Sequence, residues 1–160
     1  MPLLFEDESL RDGLQFEQKV LPLEDKLALF GLLVAAGFRQ VQVGSFVHPK
    51  IVPQMADTEA VIRAAREAGL PVVVTALVLN DKGLERALAC GMGHLSMSSS
   101  ASDAHSLKNV KRPAAEAFAS LLKLIRQAVG AGLAVRAGIQ CAFGCVYEGA
   151  VPEDRVLDMA

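Results

Sequence analysis

The chain has 160 residues, which is long enough for one domain that buries about two-thirds of its unfolded surface. Hydrophobic residues make up 52% of it, yet no uninterrupted apolar run reaches the roughly 18 residues that a membrane-spanning helix needs. A net charge of -2, one Tyr and no Trp exclude the basic, aromatic surface of a nucleic-acid binder. A small molecule is therefore the expected partner.

The apolar start, Pro2 to Phe5, lacks the basic region and long apolar segment of a secretory signal, which predicts a cytoplasmic protein. The three cysteines, Cys90, Cys141 and Cys145, cannot all pair and form no CxxC pairs. This spacing argues against structural disulfides and against a zinc site.

Strand-like and helix-like segments alternate along the whole chain with a period of roughly 30 residues, the length of a βα unit. Strands are predicted over residues 3–5, 38–43, 71–77, 94–97 and 133–141, and helices over 23–36, 58–68, 81–90, 113–129 and from 152 onward. Residues 98–109 are predicted to be a polar loop. Glycines follow four of the predicted helices, as helix C-caps do: Gly37, Gly69, Gly91 and Gly130.

Such alternation leaves two main architectures, an open doubly wound sheet or a barrel of parallel strands surrounded by helices. Polar side chains follow every predicted strand, namely Arg11 and Asp12, Ser45 and His48, Asn80, Ser98 to Ser100, and Cys141 to Glu148. An open sheet concentrates its site at one switch point, whereas a barrel collects side chains from every strand's C-terminal end. The pattern therefore favours the barrel.

The segment from Phe5 to Gln15 contains the most suggestive motif, Arg11-Asp12-Gly13. An Arg and an Asp at a strand's C-terminal end, followed by a glycine that permits a sharp turn, can direct a cation and a metal-binding carboxylate into one pocket. The motif alone fits a surface turn equally well, because turns collect Asp and Gly for backbone reasons.

Three longer strings narrow this choice: LRDGLQ (Leu10–Gln15), SFVHPKIVPQMAD (Ser45–Asp57) and CAFGCVYEG (Cys141–Gly149). In order and spacing they resemble the 3-hydroxy-3-methylglutaryl-CoA lyase family, which belongs to a superfamily of metal-dependent lyases and synthases. The resemblance covers the whole chain and implies an α/β fold of the TIM (β/α)8 barrel type, incomplete here with about five βα units. A single domain over residues 1–160, truncated at the C-terminus, is the corresponding expectation.

By this resemblance, Arg11 is the catalytic residue that polarises the acyl carbonyl, and Asp12 binds a divalent Mg²⁺ or Mn²⁺. The resemblance places the remaining metal ligands, a His-x-His pair and an Asn, beyond residue 160. It also implies a carbon–carbon lyase that cleaves a 3-hydroxyacyl-CoA, such as 3-hydroxy-3-methylglutaryl-CoA, to acetyl-CoA and a ketoacid.

The resemblance further implies contacts with the acyl-CoA substrate from Gln15, Gln42, Ser45, Lys50 and Asn109. For Gln15 and Lys50 a solvated surface side chain is the alternative. Four further residues are expected near the pocket, namely Asp7, Cys141, Tyr147 and Glu148; a Tyr and a Glu at a strand end have little reason to be in a core. For Cys141 and Cys145 a role as compact apolar filler is favoured.

Gln42 occupies the position where the family has a Glu that organises the Arg-Asp pair. Gln keeps the shape and hydrogen bonds of Glu but lacks its charge, so weaker pairing with Arg11 is expected. A Claisen-condensing synthase of the isopropylmalate or homocitrate type, or a non-catalytic half-barrel that binds acyl-CoA or a partner, are the alternatives to a lyase. Unpaired edge strands predict a homo-oligomer.

Overall fold

Strands and helices alternate along the chain as the sequence predicts. The structure, a computed structural model, describes residues 3–160. Strands β1 to β5 span Glu6–Asp7, Gln40–Ser45, Val73–Leu77, His94–Ser100 and Ala134–Gln140, and helices α1 to α6 span Leu23–Ala35, Thr58–Glu67, Asp81–Ala89, Asp103–Val110, Ala114–Gly130 and Glu153–Met159. A π-helical turn, Ser9–Gly13, follows β1, and a 3-10 turn, Pro53–Met55, precedes α2. Across the sheet the strands keep their sequence order, β1-β2-β3-β4-β5.

The first strand begins later than predicted. Leu3, Leu4 and Phe5 form no strand and are largely exposed, whereas the acidic pair Glu6–Asp7 forms β1. Pairing with β2, in which Glu6 lies opposite Gln40, decides where the strand lies, and local apolar content does not. Pro2 lies outside the described residues.

The prediction of a polar loop over residues 98–109 is wrong. The strand β4 continues through Ser100, and helix α4 follows almost at once, with Ser102 as its N-cap. The Ser102 Oγ accepts a hydrogen bond from the His105 N–H at 3.1 Å. Serine is small enough to pack in a buried strand and is also a good cap, so composition alone could not separate these roles from a loop.

The chain divides into two compact units, one up to Leu95 and one over Ser96–Ala160. The single domain expected over residues 1–160 stays a prediction. The core of the first unit consists of buried aliphatic and aromatic side chains that include Phe30, Val41, Ile62, Ala76 and Leu84. The core of the second unit includes Met97, Ala101, Leu121, Leu124 and Ala128.

Strand β2 pairs in parallel with both β1 and β3 and contains an irregularity that changes which face its side chains occupy. Gln42 lies opposite Thr75, but the next β3 residue, Ala76, lies opposite Gly44. One extra residue on β2 is the arrangement of a β-bulge. Because paired residues share a face and faces alternate along β3, Gln42 and Ser45 share one face, and Gly44 lies on the other.

The predicted helix ends agree closely with the structure. Gly37, Gly69 and Gly91, which follow α1, α2 and α3, have positive φ angles of 100°, 62° and 65°, the backbone region that glycine adopts without strain. Within residues 3–160, no helix is both long enough and apolar enough to cross a membrane.

Candidate functional site

Arg11 lies in the π-helical turn after β1, and a side chain accepts a hydrogen bond from each of its three guanidinium nitrogens. Nη1 donates to Asp12 Oδ1 at 2.6 Å, Nε donates to Gln42 Oε1, and Nη2 donates to Glu8 Oε2. Only 14% of the Arg11 side chain is exposed. The guanidinium is therefore held in one orientation next to the end of β1.

The backbone of the turn is organised by a single carbonyl. The Glu8 oxygen accepts hydrogen bonds from the N–H groups of Arg11, Asp12 and Gly13, at 3.1, 2.7 and 3.3 Å. Leu10 is buried and anchors the same turn to the core. These contacts fix the positions from which the Arg11 and Asp12 side chains begin.

Glu8 supplies a carboxylate that no pattern in the sequence assigned to the site. Gln42 is fully buried on β2, and its amide contacts both Arg11 and Glu8. The expectation of weak pairing at Arg11 considered the uncharged Gln42 alone, whereas Glu8 forms an ion pair with the guanidinium. The three-residue spacing from Glu8 to Arg11 is that of neighbours on a helical turn and would have revealed the pair, had the turn been recognised.

Asp12 is the more exposed of the two carboxylates on Arg11, with 54% of its side chain accessible. The carboxylates of Asp12 and Glu8 carry two formal negative charges and the Arg11 guanidinium carries one positive charge. The cluster therefore has a net charge of minus one, which favours a bound cation. However, no group of three or more His, Cys, Asp or Glu within residues 3–160 could hold a metal ion. Asp12 thus fits the role of one ligand, and the described residues do not make a complete metal site.

The other predicted site residues of the first unit differ in their surroundings. Ser45 is fully buried, its N–H contacts Thr58 Oγ1 at 3.3 Å, and its Oγ contacts the Leu77 carbonyl at 3.5 Å. The Asp7 carboxylate accepts hydrogen bonds from the N–H and Oγ of Ser9, at 2.9 and 3.0 Å. Gln15 is half-buried beside the turn, and Lys50 is exposed. Ser45 and Asp7 therefore have structural contacts of their own.

In the second unit, the loop after β5 packs on α4. The ring of Tyr147 stacks with that of His105 at 6.5 Å between centroids, and Lys108 Nζ lies 4.2 Å from the Tyr147 ring centroid. Glu148 Oε2 accepts a hydrogen bond from the Ala104 N–H at 3.0 Å, in the first turn of α4. Asn109, on the same helix, contacts His105 Nε2 at 2.8 Å. The structure thus brings together three of the predicted residues, Asn109, Tyr147 and Glu148, around one helix.

Cys141 and Cys145 have opposite environments. Burial raises the pKa of the Cys141 thiol. The Ser102 hydroxyl, which lies 3.0 Å from Cys145 Sγ, lowers the pKa of Cys145, with help from the backbone N–H groups of Tyr147 and Glu148. Cys145 is buried, as the filler interpretation requires, but it also accepts hydrogen bonds that favour its thiolate.

Two further polar contacts between strands were missed by sequence reasoning. Thr75 Oγ1 on β3 donates to Glu6 Oε1 on β1, and Arg136 Nη2 on β5 donates to Ser96 Oγ on β4 at 3.1 Å. Both connect positions that are 40 or more residues apart, so no local pattern could indicate them.

Comparisons with known proteins agree on one family. The family model described as HMGL-like matches residues 3–160. The mitochondrial hydroxymethylglutaryl-CoA lyase of Rattus norvegicus is 37% identical over 151 residues, which are 94% of this chain and 46% of the relative. The (R)-citramalyl-CoA lyase of Chloroflexus aurantiacus is 36% identical over 163 residues, 96% of this chain and 51% of the relative.

Solved structures give the same result. The HMG-CoA lyase of Bacillus subtilis matches with a TM-score of 0.90 and 35% identity, over 98% of this chain and 52% of that one. An HMG-CoA lyase of Acinetobacter baumannii was solved in complex with coenzyme A and 3-methylmalate. It matches with a TM-score of 0.86 and 31% identity, over 98% of this chain and 51% of that one.

The chain spans about half the length of the curated relatives that it matches. The likeness to the solved lyases confirms the predicted fold class, an α/β fold of the TIM-barrel type with five of the strands. Since the family model covers nearly every residue, the chain belongs to the HMGL-like family.

Proposed function

We propose that the polypeptide carrying this chain is a carbon–carbon lyase that cleaves a 3-hydroxyacyl-CoA, such as 3-hydroxy-3-methylglutaryl-CoA, to acetyl-CoA and a ketoacid. The observation that carries the proposal is the held guanidinium of Arg11, at the end of β1 in a chain of the HMGL-like family. The relatives and solved structures compared above carry lyase names, which favours cleavage over condensation.

The chemistry requires a cation near the thioester. Cleavage removes the proton of the tertiary hydroxyl, turns the C–O bond into a ketone carbonyl, and moves the electron pair of the broken C–C bond onto the thioester as an enolate. A proton added to the enolate carbon then gives acetyl-CoA. A preorganised guanidinium stabilises the negative oxygen of the enolate, and Arg11 is the residue that would do so.

A divalent metal ion, Mg²⁺ or Mn²⁺, is the proposed cofactor, with Asp12 as one ligand. The negative charge around Arg11 supports a cation there, but such hard cations take six or more oxygen ligands, so Asp12 would need donors from outside the described residues. Acyl-CoA as the substrate class is supported by the relatives' names and by the coenzyme A in the Acinetobacter baumannii lyase. The cytoplasmic location and the homo-oligomer stay predictions.

The first test is Arg11→Met in the polypeptide that carries this chain. We expect about a 10²- to 10³-fold loss of kcat, the range seen when one donor to a developing oxyanion is removed. Acetyl-CoA release from 3-hydroxy-3-methylglutaryl-CoA is the measurement, with citramalyl-CoA as a second substrate because of the Chloroflexus aurantiacus relative.

Arg66→Met is the matched control, since Arg66 Nη1 donates to the carbonyls of Cys90 and Gly91, at 2.7 and 2.8 Å, and to no predicted site residue among those that the structure describes. Full activity of Arg11→Met would contradict the proposal. Condensation without cleavage would favour the synthase. Acyl-CoA binding without either reaction, and without Mn²⁺ binding by calorimetry, would favour the non-catalytic module.

A further inference from the structure

Glu8, Arg11 and Gln42 form a closed ring of hydrogen bonds. Arg11 Nη2 donates to Glu8 Oε2, Arg11 Nε donates to Gln42 Oε1, and Gln42 Nε2 donates to Glu8 Oε1 at 3.4 Å. Each of the three side chains thus contacts the other two. The ring joins the turn after β1 to β2.

The chemistry of the ring specifies an amide at position 42. A guanidinium only donates hydrogen bonds and an ionised carboxylate only accepts them. The side chain between Arg11 and Glu8 must therefore accept on one side and donate on the other, as the Gln42 amide does. A carboxylate at position 42 would place two acceptors together with no hydrogen between them, in a fully buried position.

Glu8 acts on Arg11 twice, through its main chain and its side chain. Its carbonyl holds the backbone N–H groups of Arg11 and Asp12, and its carboxylate holds the Arg11 side chain. Among the described residues, three of the five guanidinium N–H groups are committed to Glu8, Asp12 and Gln42, which leaves two for a ligand oxygen.

We propose that Glu8 is the positioning residue for Arg11, and that the Glu8 carboxylate and the Gln42 amide form one matched pair whose two groups can be exchanged. Besides Asp12, either arrangement gives Arg11 one carboxylate and one amide from positions 8 and 42, and it keeps a donor against an acceptor between those positions. The consequence for catalysis rests on the proposed function, but the consequence for Arg11 itself does not.

The test compares Glu8→Gln, Gln42→Glu and the double variant Glu8→Gln/Gln42→Glu in the ¹⁵N-labelled 160-residue chain. The Arg11 Nε–H cross-peak is assigned by its loss in Arg11→Lys, and its rate of exchange with solvent is measured. We expect Glu8→Gln to raise that rate about tenfold. The charge-assisted hydrogen bond from Nη2 to Glu8 is lost, so the guanidinium is held less firmly and the bond from Nε–H to Gln42 opens more often. The double variant should return the rate to within about threefold of the parent chain.

Stability provides a second readout by urea unfolding. Gln42→Glu should destabilise the parent chain, where it faces Glu8, and stabilise the chain that already carries Glu8→Gln. Such a reversal of sign requires direct coupling between the two positions. If Gln42→Glu alone fails to fold, a double variant that folds is itself the expected rescue.

Glu59→Gln is the matched control. Glu59 Oε1 accepts a hydrogen bond from Arg86 Nε at 2.6 Å, and its exposure is similar to that of Glu8, 26% against 29%. It should change the exchange of Arg86 Nε–H and leave that of Arg11 unaltered. An Arg11 rate unchanged by Glu8→Gln, or not restored in the double variant, would overturn the inference.

The lyase assay separates this inference from the proposed function. In the polypeptide that carries the chain, Glu8→Gln should lower kcat about tenfold with a smaller change in KM, and the double variant should recover to within about threefold. If the parent shows no cleavage, the proposed function fails, and the exchange rates still decide whether Glu8 positions Arg11. A parent that cleaves, together with Glu8→Gln at full kcat, would overturn the catalytic consequence.

Discussion

Lys26 on α1 is a charged side chain with almost no solvent contact, only 3% exposed. Its Nζ donates to the Gln54 carbonyl at 2.7 Å and lies 2.5 Å from Asp57 Oδ1. Gln54 and Asp57 belong to one of the strings that carry the family resemblance. In the structure, therefore, part of that string holds α1 against the segment before α2.

The two members of this ion pair should differ in their importance. Asp57→Ala leaves the buried Lys26 ammonium without a counter-charge, and we expect it to lower the free energy of unfolding by about 3 kcal/mol. Lys26→Met leaves Asp57, which is 31% exposed and can be solvated, so about 1 kcal/mol is expected. Urea unfolding of both variants is the measurement, and a larger loss for Lys26→Met would contradict this account.

The Cys145 thiol should make stability depend on pH. Its pKa is lowered in the fold, first by the Ser102 hydroxyl, so ionisation of Cys145 favours the folded state. The stabilisation is complete above the ordinary thiol pKa and is lost as the pH falls through the lowered value. Ser102→Ala should move the titration midpoint of the Cys145 ¹³Cβ resonance upward, and Ser120→Ala, which removes a hydroxyl on α5, should not.

At this scale the sequence indicates the Arg11 and Asp12 pair and, through the family resemblance, the neighbouring Gln42, but it does not indicate the Glu8 carboxylate. Arg11 and Asp12 belong to a recognisable string, and the contact of Arg11 with Gln42, which joins positions 31 residues apart, could be expected only through that resemblance. Glu8 is near in sequence, yet it reaches Arg11 only because the backbone forms a π-helical turn. That turn has no sequence pattern of its own.

Close approach of a helix to a strand is the main constraint at the scale of elements. The face of β2 that carries Gly44 packs against Thr58 at the start of α2, and a Cβ added to Gly44 would lie 2.5 Å from Thr58 Oγ1. Thr58 Oγ1 also lies within hydrogen-bonding distance of the Ser45 and Met55 carbonyls, at 3.1 and 2.8 Å. The missing side chain at Gly44 permits this approach, so Thr58 can hold the last residue of β2, Ser45, against the start of α2.

Gly44→Ala should therefore destabilise the fold by about 1–3 kcal/mol, the usual cost of overpacking. Gly31→Ala is the matched control, since Gly31 lies within α1 and a Cβ there meets nothing within 4 Å. The control should gain about 0.5–1 kcal/mol from helix propensity. Thermal or urea unfolding measures both, and equal effects would argue against close packing at Gly44.

Element types were largely predictable from sequence because glycine caps and apolar runs are local features. The helix predicted over residues 23–36 ends one residue later than α1. The helix predicted over residues 113–129 begins and ends one residue earlier than α5. Helix α4 was missed because its N-terminus depends on the Glu148 carboxylate, 44 residues away from Ala104, as well as on its own cap.

Self-association is the prediction that belongs to the whole molecule. Strand β5 is last in the strand order and exposes most of its residues, and edge strands with unpaired backbone groups are a recognised route to association between chains. We expect light scattering after size-exclusion chromatography to give a mass above the 17.0 kDa of one chain. Ala137→Lys on β5 should lower that mass, whereas Ala131→Lys, an exposed alanine beyond α5, should not. A monomer at all concentrations would contradict the prediction.

At this scale the sequence predicted the fold class, since alternation and the polar residues after each strand both favoured the TIM-barrel type. It did not predict the division at Leu95, because predicted elements continue across that point without a linker. Compact units arise from contacts distant in sequence, which composition and periodicity do not encode.

The bulge on β2 makes the length of this strand as important as its composition. Val43 is the extra residue, so removing it alone would restore regular alternation and leave Gln42 and Gly44 on the faces that they occupy now. Substitutions along β2 can be judged one at a time by size and polarity. A one-residue insertion or deletion in the regularly paired part of β2 would instead move every downstream side chain of the strand to the opposite face, and no single substitution elsewhere could compensate.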